Sequence, residues 1–180
     1  MPYFLEILAR LVLALLLGGA IGYEREHENR PAGFRTHILV CIGSALVMTT
    51  SEYIFKLFSP IVNLDPARLG AQVISGIGFL GAGTIVREGF NVKGLTTAAS
   101  LWAVSCVGLA AGIGFYEGAI TATVLIYITL IMLKKIESQF NVRSQYKNIF
   151  VETAAIPEII YKLTDIFCRY EVMIKNIEYF

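Results

Sequence analysis

The sequence predicts an α-helical polytopic membrane protein with about five transmembrane helices, followed by a small cytosolic α/β segment of β-α-β order. Composition predicts the membrane part, because 56% of the 180 residues are hydrophobic and 16% are charged. The mean hydropathy is +0.64, which is more apolar than an ordinary soluble domain. Charged residues also occur in clusters between apolar runs long enough to cross a bilayer. A change to polar composition after Leu133 predicts the second part.

Apolar runs of about 20 residues predict the individual membrane spans. We do not interpret the first run as a signal peptide, because no basic segment precedes it and further runs of the same kind follow. Almost no linker separates the last two runs, so Gly112, Gly114 and Gly118 are expected to form a tight turn. The predicted spans are residues 3–23, 36–58, 67–86, 95–115 and 116–133, within a transmembrane domain at residues 1–136.

Basic residues predict the orientation, because short loops rich in Lys and Arg stay on the cytoplasmic side of a membrane. They concentrate after the first, third and fifth predicted spans. We therefore expect the N-terminus outside and the C-terminus in the cytoplasm. The residues concerned are Arg25, Arg30, Arg35, Arg87, Lys93, Lys134 and Lys135.

One glycine-rich stretch, Gly76 to Gly81, matches the G-x-G-x-x-G spacing of a dinucleotide-binding loop. That loop needs a strand before it and a helix after it in a soluble β-α-β unit. Here the motif lies inside an apolar run. The sequence therefore favours helix packing over nucleotide binding.

Small residues recur at helical spacing in two predicted spans, and such faces let helix backbones approach closely in lipid. Two interpretations stay open, namely packing within one chain and the interface of a homodimer. The additional Gly76, Gly81 and Gly83 predict that the third span is bent or locally opened, because glycine inside a helix costs about 1 kcal/mol relative to alanine. The two faces are Ala14, Gly18 and Gly22 in the first span and Ala71, Ser75, Gly78 and Ala82 in the third.

Polar residues gather at the predicted cytoplasmic edge of spans one to four. Topology needs no acid at this edge, so Glu24 is expected to pair with Arg25 or Arg35, or to face a polar cavity. Threonines there are expected to cap the following helices and to leave N–H groups able to hold an anion or a lipid headgroup. In the alternative interpretation, the basic residues only anchor the topology. The candidate residues are Glu24, Arg25, Arg30, Arg35, Thr36, Asn91, Lys93, Thr96 and Thr97.

A second polar cluster is predicted on the outer side. Its charges form two pairs with i, i+4 spacing, which predicts an ion pair within each helix. They are interpreted either as paired charges near helix ends or as an outer vestibule for a cation. The cluster comprises Glu6, Arg10, Glu52, Lys56 and Gln72.

Chemistry at a catalytic or metal centre is not expected. Cys41, Cys106 and Cys168 are isolated, without a C-x-x-C pair, and are interpreted as packing residues. His27 and His37 are assigned to a loop or a helix edge, without a catalytic or metal role. No nucleophile, base and orienting acid occur together, so we expect neither an enzyme nor a cofactor. The net charge of +1 also offers no basis for binding nucleic acid.

Two long blocks carry a family resemblance. "GGAIGYEREHENRPAGFRTHILVCIGSA" at residues 18–45 and "QVISGIGFLGAGTIVREGFNVKGLTTAASLW" at residues 72–102 resemble the MgtC/SapB family of bacterial inner-membrane proteins. The resemblance implies about five spans, often followed by a small cytosolic ACT-like domain. It also implies a role in growth at low magnesium and in survival inside host cells (virulence). Some members of the family regulate other membrane proteins.

The last 44 residues, 137–180, are predicted to form part of an ACT-like domain. Residues 146–153 alternate as a strand, residues 157–170 have helical periodicity, and residues 172–179 alternate again. An ACT-like domain contains two such β-α-β units, and a single unit leaves strand edges unpaired. Either the chain is truncated or a partner supplies the second unit, and we expect domain-swapped or dimeric pairing with a second copy of the chain.

The leading functional hypothesis is a non-enzymatic regulator in the inner membrane. It would be dimeric, surrounded by membrane lipid, and would bind another membrane protein or a small ligand through its glycine faces and cytoplasmic edge. The alternative is a small transporter or channel for a cation such as Mg²⁺, with a path from the outer cluster to Glu24. A continuous polar cavity would favour the transporter.

Overall fold

The computed structural model describes residues 2–89, 91–141 and 156–170 and is mainly helical. The chain divides into two compact units, Met1–Phe140 and Asn141–Phe180. The first unit contains α1 (Pro2–His27), α2 (Phe34–Phe58), α3 (Arg68–Gly83), β1 (Val86–Glu88), β2 (Asn91–Lys93), α4 (Leu95–Ile113) and α5 (Tyr116–Asn141), and the second contains α6 (Ile156–Arg169).

Three helices are long and apolar enough to cross a membrane, namely α1 from Tyr3, α2 and α4. Helix α3 has 16 residues, and the apolar part of α5, Tyr116–Met132, is also shorter than a typical span. Three of the five predicted spans thus have the length and apolar composition that crossing a membrane requires. For α3 and α5, a membrane span stays a prediction.

The third predicted span ends earlier than expected. Helix α3 stops at Gly83, and a short antiparallel hairpin of β1 and β2 follows, with Val86 paired to Lys93 and Arg87 to Val92. Gly89 at the turn has φ +60°, a conformation that favours glycine. Of the six strand residues, only Val86 belongs to the span that hydropathy predicted.

Helix α2 lies at the centre of the first unit, where it packs against α1, α3 and α4. Helix α4 also contacts α1 and α3. The shared core consists of small and β-branched side chains, as close backbone approach requires. Its buried members are Ala14, Ile21, Cys41, Ala45, Val104, Val107, Ala111 and Ala119.

The glycines of α1 explain how closely α1 and α2 approach. A Cβ added to Gly18 would lie 2.6 Å from the Cβ of Cys41, and one added to Gly22 would lie 2.9 Å from the Cβ of His37. Ala14, in the same series, is fully buried. This small-residue face therefore packs within the chain.

The small-residue face of α3 is arranged differently. Ala71, Ser75, Gly78 and Ala82 are all exposed. A Cβ added to Gly76, Gly78 or Gly83 would meet no described heavy atom within 4 Å. Helix α3 is nevertheless continuous from Arg68 to Gly83, so the expectation of a bent or locally opened span is wrong. Enough backbone hydrogen bonds form here to keep a glycine-rich helix regular.

The connection between α4 and α5 is the tight turn that the glycines predict. Gly114 has φ +90°, and the Phe115 N–H donates a hydrogen bond to the Ala110 carbonyl at 2.9 Å. This is the usual geometry of a glycine at a helix C-terminus.

In the second unit, α6 agrees with the helix predicted at residues 157–170. The two predicted strands, at residues 146–153 and 172–179, lie outside the described residues. The ACT-like assignment therefore stays a prediction.

Candidate functional site

A buried ion pair lies near the end of α1. The Nε of Arg25 donates to Glu24 Oε2 at 2.5 Å, and its Nη2 donates to Glu24 Oε1 at 2.8 Å. Only 8% of the Glu24 side chain and 4% of the Arg25 side chain are exposed. Arg25 is one of the two partners predicted for Glu24. The other, Arg35, is exposed and forms no ion pair within the described part of the chain.

His37 is a functional candidate that the sequence analysis missed. It lies in the first turn of α2, which agrees with its assignment to a helix edge, but it is fully buried, which the sequence analysis did not predict. Its Nδ1 lies 2.9 Å from the Gly33 carbonyl and its Nε2 lies 3.0 Å from Ser100 Oγ on α4. A carbonyl oxygen only accepts, so Nδ1 donates. The available signal was helical spacing, because His37 and Cys41 are four residues apart on α2 and lie against Gly22 and Gly18 of α1.

Ser100 extends this polar group along α4. Its hydroxyl oxygen also lies 2.8 Å from the Thr97 carbonyl, which accepts the single hydroxyl proton when that proton is not donated to His37 Nε2. Both Ser100 and Thr97 are buried. The charges of Glu24 and Arg25 act electrostatically on the His37 ring. We call these five residues the His37 cluster, which joins α1, α2 and α4.

The predicted threonine caps are wrong. Helix α2 begins after Gly33 and α4 begins after Gly94, and neither start has a side-chain cap hydrogen bond in the described chain. Instead, Glu26 Oε2 reaches across the loop and accepts from the Phe34 N–H at 2.7 Å. Glycines occupy these cap positions because the loops approach their surroundings too closely for a Cβ, as shown by Gly94 against the Thr84 carbonyl.

The remaining edge candidates lie at the surface. The structure therefore separates the predicted edge into a buried set, which belongs to the His37 cluster, and an exposed set. The exposed residues are Arg30, Arg35, Thr36, Asn91, Lys93 and Thr96.

Beside the exposed set lies a groove of about 400 Å³. It opens between the start of α2, the end of α3 and the middle of α4, and its lining is almost entirely apolar. We call it the α2–α3–α4 groove. Its lining residues are Pro31, Ala32, Thr36, Phe79, Leu80, Ala82, Gly83, Thr84 and Leu101.

At the opposite ends of α1 and α2, Arg10 organises a second polar group. It is largely buried, with 8% of its side chain exposed, and forms ion pairs with Glu6 and Glu52. Its Nη1 also donates to the Gly112 carbonyl at 2.8 Å. The predicted Glu52–Lys56 pair is present at 2.5 Å. We call Glu6, Arg10, Glu52 and Lys56 the Arg10 cluster.

The spacing of the charges predicted the pairs within each helix but not the link between helices. Glu52 accepts from Arg10 of α1 as well as from Lys56 of α2, which fastens the two helices together. Gln72, the fifth predicted member, is exposed on α3 and is not among the bonded partners of these residues. Among residues 2–89, 91–141 and 156–170, no group of three or more His, Cys, Asp or Glu residues is placed to hold a metal ion.

Known proteins resemble this chain over most of its length. Residues 11–139 match the model of the MgtC family. The chain is 41% identical over 153 residues to the Escherichia coli K12 protein named "Putative magnesium transporter YhiD", which covers 84% of this chain and 69% of that protein. It is 43% identical over 150 residues to protein MgtC of Brucella abortus strain 2308, covering 82% and 60% of the two chains.

A third relative is protein MgtC of Salmonella typhimurium strain LT2. It is 44% identical over 141 residues, which cover 78% of this chain and 56% of that protein. The chain thus spans between about half and two thirds of the length of these relatives. No solved structure matches it.

Proposed function

Because the chain belongs to the MgtC family, we propose that it is a non-enzymatic regulator of other membrane proteins that serves magnesium homeostasis. Family membership and the three long apolar helices make it a membrane protein. The proposal places it in the bacterial inner membrane, during adaptation to low magnesium and survival inside host cells.

The packing between the two polar clusters is the observation that carries this proposal. Arg10 and Glu24 are 14 residues apart on α1, so the clusters are separated by about 21 Å along that helix. Between them, α1, α2 and α4 contribute the buried side chains Ala14, Cys41, Ala45, Val104 and Val107.

Where α2 and α4 approach most closely between the two clusters, a glycine of α4 cannot carry even a Cβ atom. A Cβ on Gly108 would overlap the Cys41 carbonyl, and one on Gly112 would overlap the Ala45 carbonyl. Mg²⁺ gives up its water reluctantly and needs oxygen ligands along any path. A dry contact between helix backbones therefore favours a regulator over a carrier that uses this bundle.

Transport of a cation such as Mg²⁺ is the second candidate. It is favoured by the buried Glu24–Arg25 pair, because ionisable residues buried in membrane helices often line substrate or ion pathways. The name of the Escherichia coli relative points in the same direction. In this alternative, a path would have to open by a movement of α1 or α4 relative to α2.

Magnesium influx into proteoliposomes distinguishes the two candidates. The wild type, Glu24→Gln and the exposed control Glu117→Gln are reconstituted at equal density. As a regulator, none of them gives influx above empty liposomes. In a host that lacks its own copy, the wild type and Glu117→Gln restore growth at low magnesium, whereas Glu24→Gln at an equal membrane level does not. Influx that Glu24→Gln abolishes contradicts the proposal and supports transport.

For the orientation, we propose an outer N-terminus and a cytoplasmic C-terminus. The exposed Arg30, Arg35 and Arg87 support this, because they lie in the loop after α1, in the first turn of α2 and in the hairpin after α3. Cys168, exposed on α6, is a natural probe. A membrane-impermeant maleimide should label it in permeabilised cells but not in intact spheroplasts, and Cys168→Ser is the control. Labelling in intact spheroplasts would reverse the orientation.

We also propose a homodimer in which the exposed face of α3, and not that of α1, meets a second membrane helix. The support is the open space at Gly76 and Gly78, since small residues allow close helix approach in lipid. Pairing of the C-terminal segments as halves of an ACT-like domain is part of the same proposal.

A further inference from the structure

The α2–α3–α4 groove owes its depth to small residues on α3. A Cβ on Gly83 would meet no described atom within 4 Å, and Ala82 beside it is also exposed. Phe79, 84% exposed, rises on one side, and the buried Leu101 of α4 closes another. These residues form an apolar recess, which is the α2–α3–α4 groove.

Three exposed arginines lie close in sequence to residues that line this recess. Arg30 and Arg35 are next in sequence to the lining residues Pro31 and Thr36, and both are exposed. Arg87 lies three residues after the lining residue Thr84 and is also exposed. Its Nε donates to the Gly89 carbonyl at 3.0 Å, which holds the side chain along the hairpin. Guanidinium groups pair with phosphate through two parallel hydrogen bonds.

The size and polarity of the recess select its occupant. A volume of about 400 Å³ holds no more than about one turn of a helix that is 10–12 Å wide. A soluble anion would gain from the arginines but nothing from the apolar walls. A lipid has both an apolar chain and a charged head.

We propose that the α2–α3–α4 groove binds one acyl chain of an anionic phospholipid, with the lipid phosphate held among Arg30, Arg35 and Arg87. The site belongs to this chain's own helices and hairpin, so it does not depend on whether the protein regulates or transports. It gives the exposed basic residues a ligand in addition to a topological role.

The test is lipid retention, measured by native mass spectrometry of the full chain released from nanodiscs. The discs contain equal amounts of phosphatidylglycerol and phosphatidylcholine with the same acyl chains. Gly83→Leu fills the groove, and since Gly83 does not have a positive φ, a leucine fits its backbone. Gly76→Leu is the matched control, because Gly76 is on the same helix, is equally open and does not line the groove.

We expect the wild type and Gly76→Leu to retain phosphatidylglycerol and Gly83→Leu to lose it. Removing one charge with Arg35→Gln should reduce the preference for phosphatidylglycerol by about fivefold, the value expected for one basic residue near an anionic lipid. Arg35→Lys keeps the charge and should retain most of the preference.

Three results would overturn the proposal. The first is equal retention by Gly83→Leu and Gly76→Leu. The second is displacement of the lipid by millimolar inorganic phosphate, which would leave a site for a soluble anion only. The third is a change of oligomeric state in Gly83→Leu without loss of lipid, which would make a second copy of the chain the occupant.

Discussion

Helices α1 and α3 have the same pattern of small residues in opposite surroundings. On α1, Gly18 and Gly22 touch the backbone and Cβ atoms of α2 so closely that a methyl group would not fit. On α3, Gly76 and Gly78 face open space. The spacing of small residues therefore shows that a helix face permits close approach of another helix. It does not show whether that helix belongs to the same chain.

Polar contacts follow the same division. Helix α1 contributes Arg10, Glu24 and Arg25 to the two buried clusters. The buried residues of α3 are Gly70, Ile77 and Gly81, none of them charged. Helix α1 is thus fixed by both packing and ion pairs, whereas within the described part of the chain α3 packs against α2 and α4 without a buried charged side chain. This contrast indicates that α1 stabilises the fold, and it makes the exposed face of α3 the candidate for contacts with another molecule.

Arg25→Met is expected to have the largest effect, because it leaves Glu24 buried without its charged partner. We expect a loss of about 3–5 kcal/mol in the free energy of unfolding. The measurement is SDS-induced unfolding of the protein in mild detergent. Arg35→Met, at the other predicted partner of Glu24, should change stability by less than about 0.5 kcal/mol. Equal losses in the two variants would show that Glu24 uses both arginines.

Gly18→Val tests whether close packing of α1 against α2 stabilises the fold. The added Cβ would lie 2.9 Å from the His37 carbonyl oxygen, a backbone atom that cannot rotate away. We expect a loss of about 3 kcal/mol, the upper part of the range for overpacked cores. Circular dichroism during thermal unfolding measures it. If Gly18→Val melted at the wild-type temperature, α1 and α2 could not approach as closely as described.

Much of this fold follows from hydropathy and turn chemistry. The five apolar runs correspond to the positions of α1 to α5, and the glycines between α4 and α5 predict a turn that the structure contains. The hairpin after α3 was missed, although all its strand residues except Val86 lie in the loop predicted after the third apolar run. Strands of three residues carry too few positions for an alternating pattern to be recognised.

The candidate sites were predictable only where their contacts are local. Glu6–Arg10 and Glu52–Lys56 follow from i, i+4 spacing. The Arg10–Glu52 and His37–Ser100 contacts join residues 42 and 63 positions apart. Such contacts depend on which helices become neighbours, and one sequence does not specify that. A threonine near a predicted helix start was also a poor guide, because both loops place a glycine at the cap.

Ser100→Ala extends the comparison to the contact between α2 and α4. The variant leaves His37 Nε2 buried without its partner, and an unsatisfied buried polar group of this kind costs about 1–2 kcal/mol. Unfolding in SDS should detect a loss of that size. Ser75→Ala is the control, since Ser75 is exposed on α3. A larger loss of unfolding free energy in Ser75→Ala than in Ser100→Ala would contradict the conclusion that the contact between α2 and α4 stabilises the fold more than the exposed face of α3 does.

Gly78→Leu should have the smallest effect on folding and decides what the α3 face is for. The new side chain meets no described atom within 4 Å at its Cβ, and leucine favours a helix more than glycine does. We therefore expect the free energy of unfolding to change by less than about 1 kcal/mol.

If the face packs against a second copy in the membrane, Gly78→Leu lowers the yield of dimers that a chemical crosslinker captures in native vesicles. Gly43→Leu is the control, since a Cβ added to Gly43 on α2 also meets no described atom within 4 Å. Gly89→Leu is unsuitable, because the positive φ of Gly89 would add backbone strain. An unchanged dimer yield in Gly78→Leu would mean that the exposed face of α3 contacts lipid. The homodimer would then have to form through the second unit.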